Sequence, residues 1–301
     1  MHIAVSGSHG LVGSALLPRL QNAGQKVTRI VRGSAAEDEI SWNPTEGRFE
    51  PSALQGVDAA VHLAGENIAS GRWTAEKKRR IRASRVDGTR LVCEAIASLE
   101  TPPKTLVSAS AVGFYGDRGD ALLDESAVPG SGFLADVARD WEAATEPAAA
   151  AGIRVVLLRF GVILSAQGGA LAAMLRPFRL GVGGVVGSGR QFMSWVAIED
   201  VARAIEFALD HTLADESLCG PVSVVAPNPV TNREFTKTLG RVLSRPTVVP
   251  LPAFAARLAL GEMADELLLS SIRAEPKKLI ESGFSFRYSE LEPALRSLLA
   301  K

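Results

Sequence analysis

The sequence predicts an α/β fold: a doubly wound parallel sheet with a smaller, mostly helical C-terminal lobe. Three observations carry that prediction. Short runs that are apolar throughout alternate with longer helical patterns over the first two-thirds of the chain, as expected of strands covered on both faces by helices. A glycine-rich turn, "SGSHGLVG" at 6–13, stands between the first apolar run and the first helical stretch. After about residue 161 the texture changes to glycine-rich and then to helical.

Taken in order, the strand candidates are 2–6 "HIAVS", 26–31 "KVTRIV", 58–63 "DAAVHL", 104–110 "KTLVSAS" and 153–160 "IRVVLLRF". Helical patterns occupy 11–23, 74–99 and 132–151. The helix at 74–99 carries its charges early, while Leu91, Val92, Ala95 and Ile96 can face a sheet. "FMSWVAIEDVARAIEFALD" reads as a short strand and a helix returning to the core, and "PVSVV" at 221–225 as one more strand. Residues 1–165, rejoined by 191–225, are therefore expected to form the sheet-bearing core, and residues 166–190 and 226–301 the smaller lobe.

Lysine plus arginine equal aspartate plus glutamate at 33 each. That balance gives no reason to expect nucleic acid or a membrane as a partner, and leaves a small-molecule substrate. The two cysteines, Cys93 and Cys219, form no CxxC pair, which fits a reducing compartment. The chain enters a strand at once, without a basic and then apolar leader, so the expected location is the cytoplasm. The four histidines, His2, His9, His62 and His211, show no metal-ligand spacing. Oligomeric state is not legible.

Within the turn, Gly7 permits the tight exit from the first strand and Gly10 a close backbone approach to a pyrophosphate. Gly13 permits close packing of helix on sheet. Ser8, Leu11 and Val12 complete the loop, and the helix N-terminus offers unpaired N–H groups to phosphates. The second strand ends "TRIVRGS", so Arg32 stands where a site for NAD has an acid. Glu37, Asp38 and Glu39 come too late. An arginine there matches a 2′-phosphate, and NADP(H) is the expected cofactor.

With "HLAG" and "RVDGT", these residues resemble the extended short-chain dehydrogenase/reductases, which have a Rossmann-type core. "HLAGENI…RWT", "SASAVGFYG", "DWEAA", "FRLGVGGVVGSGRQFMSWV" and "AEPKKLIESGFSFRY" are similar to an atypical branch. Its members are labelled epimerase-family or SulA-like cell-division inhibitors. The resemblance implies that Leu63, Ala64 and Gly65 line the adenosine and ribose side of the cofactor. It puts Arg85, in "RVDGT", at a position usually held by asparagine near the nicotinamide ribose. There it meets a phosphate or a substrate anion, or is a solvated helix charge. Arg80 is a fainter candidate of the same kind.

The same resemblance demands a tyrosine and a lysine spaced YxxxK. Aligning Glu142 of "DWEAA" with the family's glutamate puts Leu134 and Ala138 at those two positions. No tyrosine or lysine occurs in 119–151. The remaining catalytic candidates are Ser110 (or Ser108 or Ala111 in a shifted register), Tyr115 as a stand-in proton donor, and Glu66, beside Asn67, as a base. Asp200 is expected to cap its helix, and Arg190 to meet an anionic substrate or solvent. The expected function is an NADP(H)-dependent oxidoreductase lacking YxxxK. The alternatives are a non-catalytic NADP(H)-binding sensor and a sugar-nucleotide epimerase.

Overall fold

The computed structural model describes residues 1–36, 38–210 and 218–300. Glu37 and His211 lie outside the described residues. Eight strands form one sheet: β1 (His2–Ser6), β2 (Lys26–Arg32), β3 (Glu39–Asn43), β4 (Arg48–Phe49), β5 (Ala59–His62), β6 (Thr105–Ala111), β7 (Arg154–Phe160) and β8 (Gly220–Val224). Their order is β8-β7-β6-β5-β1-β2-β3-β4, parallel throughout except for the β3–β4 pair.

Strand order reverses between β1 and β5, so a crevice opens beyond their carboxyl ends, where open α/β sheets bind ligands. Helix α1 (Leu11–Asn22) follows β1, and α2 (Ala75–Ala97) follows β5. Thr74 starts α2 by accepting the Lys77 N–H on its side chain. Val92, Ala95 and Ile96 of α2 are buried against one sheet face, with Leu91 packed beside them.

The helical pattern at 132–151 divides into α3 (Phe133–Ala143) and α4 (Glu146–Ala150). Pro147 in the first turn of α4 fits a fresh start there. β3 alternates polar and apolar residues at the strand period, and the two-residue β4 pairs with it. They exist because Ile40 and Trp42 bury themselves beneath α2, where Gly88 leaves room for the indole.

The rest comprises α5 (Gly169–Arg179), α6 (Ile198–Asp210), α7 (Asn232–Leu243), α8 (Ala253–Leu260), a π-helical turn at Asp265–Leu269 and a closing helix at Leu291–Leu299. A separate apolar cluster joins Leu171, Phe178, Trp195, Phe235, Leu239 and Leu295. Asp200 does not cap α6. It lies in the first turn, fully buried, and accepts the backbone N–H groups of Arg287 (2.8 Å) and Tyr288 (2.9 Å). It fastens the C-terminal strap to the core.

Candidate functional site

The glycine-rich turn is built as its spacing requires. Gly7 has φ +70°, and a Cβ there would lie 2.6 Å from the Leu63 carbonyl carbon. The loop after β1 and the loop after β5 are thus in backbone contact across the crevice. A Cβ on Gly13 would lie 2.4 Å from the Gly7 carbonyl oxygen. Gly10 begins α1, with no side-chain cap and no acid in the first turn. The amides of that turn are therefore left for an anion. At the end of β2, Arg32 is exposed and makes no ion pair among the described residues. A phosphate cradle and an exposed cation outside any ion pair fit a dinucleotide carrying a 2′-phosphate.

Beyond β5, Arg85 reaches back from α2. Its Nη1 donates to the carbonyls of Glu66 (3.1 Å) and Ile81 (3.3 Å). Its guanidinium lies 5.1 Å from the Trp141 ring centroid and 3.4 Å from the point a Gly65 Cβ would occupy. Burial pushes Arg85 down to about 10, so it remains a cation at neutral pH. It is a packed charge at the crevice, not a solvated one.

Glu66 accepts a hydrogen bond from the buried Lys77 Nζ at 2.6 Å. Arg80 stands 3.7 Å away. The Lys77 hydrogen bond holds the Glu66 carboxyl below its usual range, which makes it a weak base. Asn67 is exposed, its side chain accepting the Ala69 N–H within the loop.

Ser110 lies at the end of β6, 2% exposed, and its Oγ donates to Glu142 Oε1 at 2.6 Å. Arg159, in β7, grips the same carboxylate through Nε and Nη2, each at 2.8 Å. Its guanidinium also covers the Phe114 ring at 3.6 Å. Tyr115 corrects the expectation of a stand-in proton donor. It is fully buried, and its hydroxyl accepts from Arg159 (3.2 Å) and meets Ser223 Oγ (3.0 Å). Burial raises its pKa further. Its hydroxyl belongs to the core.

Leu134 and Ala138 occupy the α3 face where YxxxK was sought. Leu134 lines a cleft of about 260 Å³ together with Gly113, Gly116 and Ser131 from the core. Arg257, Asp265, Glu266 and Leu269 supply the opposite wall, most of it from the π-helical turn. Such turns are rare and frequent at functional sites. Glu266 takes the backbone N–H groups of Phe133 (3.1 Å) and Leu134 (3.2 Å), so it caps α3 from 133 residues away. Gly132, at φ +112°, makes this possible, since a Cβ there would lie 2.5 Å from Glu266 Oε1.

Sequence reasoning missed Lys77, the Glu142–Arg159 pair and Glu266. Arg159 carried a signal: a lone charge inside "RVVLLRF" must find a buried partner. His62 is packed, with Nδ1 on Ser6 Oγ at 2.7 Å and its ring edge-on to Trp42. His9 is exposed in the phosphate loop, and Arg190 is exposed beyond the glycine-rich segment. No cluster of metal-ligating side chains occurs among the described residues.

The sequence profile of the NAD dependent epimerase/dehydratase family matches residues 3–218. A domain of unknown function, DUF1731, matches residues 251–298, the stretch that holds the outer wall of the cleft. The chain is 47% identical over 294 residues to epimerase family protein Mb2239 of Mycobacterium bovis, covering 97% of this chain and 96% of that one. It is 35% identical over 303 residues to human epimerase family protein SDR39U1, covering both chains fully. The crystal structure of human SDR39U1 (isoform2) with NADPH superposes with a TM-score of 0.87, at 32% identity and 99% coverage of each chain.

Proposed function

Since the chain belongs to the NAD-dependent epimerase/dehydratase family, we propose that it is an NADP(H)-dependent oxidoreductase acting on a small molecule without a tyrosine–lysine pair. The observation that carries this reading is Arg32, an exposed guanidinium whose only charged neighbour given is Glu66 and which makes no ion pair among the described residues, beside a phosphate cradle with open amides. The NADPH bound by the human relative supports it. The residues that would hold the cofactor are Gly7, Ser8, Gly10, Leu11, Val12 and Gly13 at the phosphates, with Arg32 at the 2′-phosphate. Leu63, Ala64, Gly65 and Arg85 would line the ribose side. A bound reduced nicotinamide supplies hydride to an electrophilic carbon.

The chain's own residues orient the reactants and set the charge. Arg85 fixes a positive charge at the crevice, where it would favour a developing oxyanion. Ser110 can share its hydroxyl with a reacting oxygen only by loosening its bond to Glu142. Leu134 offers no proton, and the carboxyl groups that line the cleft are Asp117, Asp265 and Glu266, the last of them capping α3.

Calorimetric titration of NADPH and NADH against wild type and Arg32→Ala tests the reading. Loss of about 1–3 kcal/mol for NADPH alone is expected, as for a charge-assisted hydrogen bond. Equal binding of both dinucleotides by both proteins would overturn it. A non-catalytic NADP(H) sensor is the second reading. It is favoured by the engagement of Ser110, Tyr115 and Glu66 with protein partners. Consumption of NADPH with any of a panel of small carbonyl compounds would exclude it. A sugar-nucleotide epimerase fits least, because that chemistry relies on a tyrosine in the helix after β6, and no tyrosine occurs in 119–151.

A further inference from the structure

The zero net charge of the chain conceals a strong local imbalance. Residues 166–190 and 226–258 together contain eight lysines and arginines against one acid, Glu234. That glutamate is spent in the capping box of α7. Arg176, Arg179, Arg190, Arg233, Lys237 and Arg245 are all exposed, and none forms an ion pair among the described residues. Most cations elsewhere on the surface do.

The same surface is apolar. Of the ten large apolar side chains that are exposed among the described residues, seven lie in 180–182 and 248–258. Val248, Phe254 and Leu258 are 74%, 73% and 78% exposed. These stretches adjoin. Arg245 Nε donates to the Arg179 carbonyl (2.9 Å), the Leu251 N–H to the Val185 carbonyl (2.9 Å), and Lys237 Nζ to Thr247 Oγ1 (3.0 Å). Phe254 and Leu258, one turn apart on α8, continue the apolar strip. Exposed apolar side chains gathered in this way mark an interaction site.

We propose that this face rests on an anionic lipid surface, with Val248, Phe254 and Leu258 entering the acyl boundary and the arginines engaging headgroup phosphates. Apolar side chains ringed by cations are what an anionic bilayer interface takes up. A second copy of the chain fits worse, since a two-fold contact would set the unpaired cations against each other. Nucleic acid would satisfy the cations and leave the leucine, valine and phenylalanine side chains with nothing apolar to meet. Attachment would be peripheral, as no described helix is long and apolar enough to cross a membrane. The neutral overall charge argued against such a partner only because it averages over the whole surface.

The test is co-sedimentation of the full chain with phosphatidylcholine vesicles, with and without phosphatidylglycerol. Binding to the anionic vesicles alone, weakened by added salt, is expected. Phe254→Asp/Leu258→Asp should abolish it. Arg176→Gln/Arg190→Gln should weaken it by about 25-fold, roughly fivefold per cation. Both variants change exposed side chains, and an unchanged thermal midpoint verifies the fold. Equal binding to neutral vesicles would overturn the proposal, as would no binding by a protein that elutes as a monomer. Elution as a dimer that ignores vesicles would do the same, making the face a self-interface. So would capture of an RNA homopolymer unaffected by the aspartates.

Discussion

The Arg159–Glu142 pair allows a prediction with a worked magnitude. The side chains of Arg159 and Glu142 are only 3% and 10% exposed. Two bonds of 2.8 Å join them, and Ser110 adds a third at 2.6 Å to the same carboxylate. Replacing Arg159 with methionine keeps an apolar stem against Phe114 but strips Glu142 of its counter-charge. An uncompensated buried charge of this kind costs about 3–5 kcal/mol. The double variant Arg159→Met/Glu142→Leu removes both charges and leaves the Ser110 hydroxyl unmet, at about 1–3 kcal/mol, while Tyr115 keeps its bond to Ser223 Oγ. The double variant should therefore unfold at higher urea than Arg159→Met. Urea unfolding of wild type, both single variants and the double gives the cycle, with a coupling free energy of about 2 kcal/mol or more expected. A coupling near zero, or a single variant losing less than about 1 kcal/mol, would refute the reasoning.

Three further outcomes are expected. Gly132→Ala forces a Cβ into the Glu266 carboxylate at an unfavourable φ, and should cost about 1–3 kcal/mol by the same assay. Gly13→Ala puts a Cβ 2.4 Å from the Gly7 carbonyl oxygen and should lower affinity for NADPH and NADH alike, unlike Arg32→Ala; calorimetry distinguishes the two patterns. His62 is pushed down to about 4 by burial, against an ordinary value of about 6.5. Its neutral form is the one that folds, so its contribution is intact above about pH 6.5 and fades as pH falls towards 4. At most that amounts to about 3 kcal/mol. Urea midpoints between pH 7 and pH 4 should fall less steeply for His62→Gln, and parallel slopes would contradict the assignment.

Several parts of this protein were legible in the sequence because their causes are local. The β1–turn–α1 unit and Arg32 at the end of β2 follow from spacing within about thirty residues. So does the absence of a tyrosine from α3, which is a matter of reading one segment. The parts that escaped depend on distant chain. β3 is the exception: "EISWN" alternates polar and apolar residues at the strand period, and Trp42 then has α2 to bury against. Glu66 looked like a base until Lys77, a turn into α2, took its carboxylate. Tyr115 sat at a promising motif position, but Ser223 and Arg159 hold its hydroxyl from strands over forty residues away. Glu266 gave no signal of its own; only the glycine before α3 did.

Asp200 has a consequence for how the molecule comes into being. Its carboxylate is fully buried, yet the two amides it accepts belong to residues 287 and 288. A ribosome that has released 260 residues has delivered every strand of the main sheet, but neither Glu266 nor the strap that fastens beside Asp200. During that interval Arg203, one turn on in α6, is the partner Asp200 already has, and the two amides of the strap arrive last. The nucleotide crevice is thus complete in the nascent chain before its neighbouring cleft has a second wall.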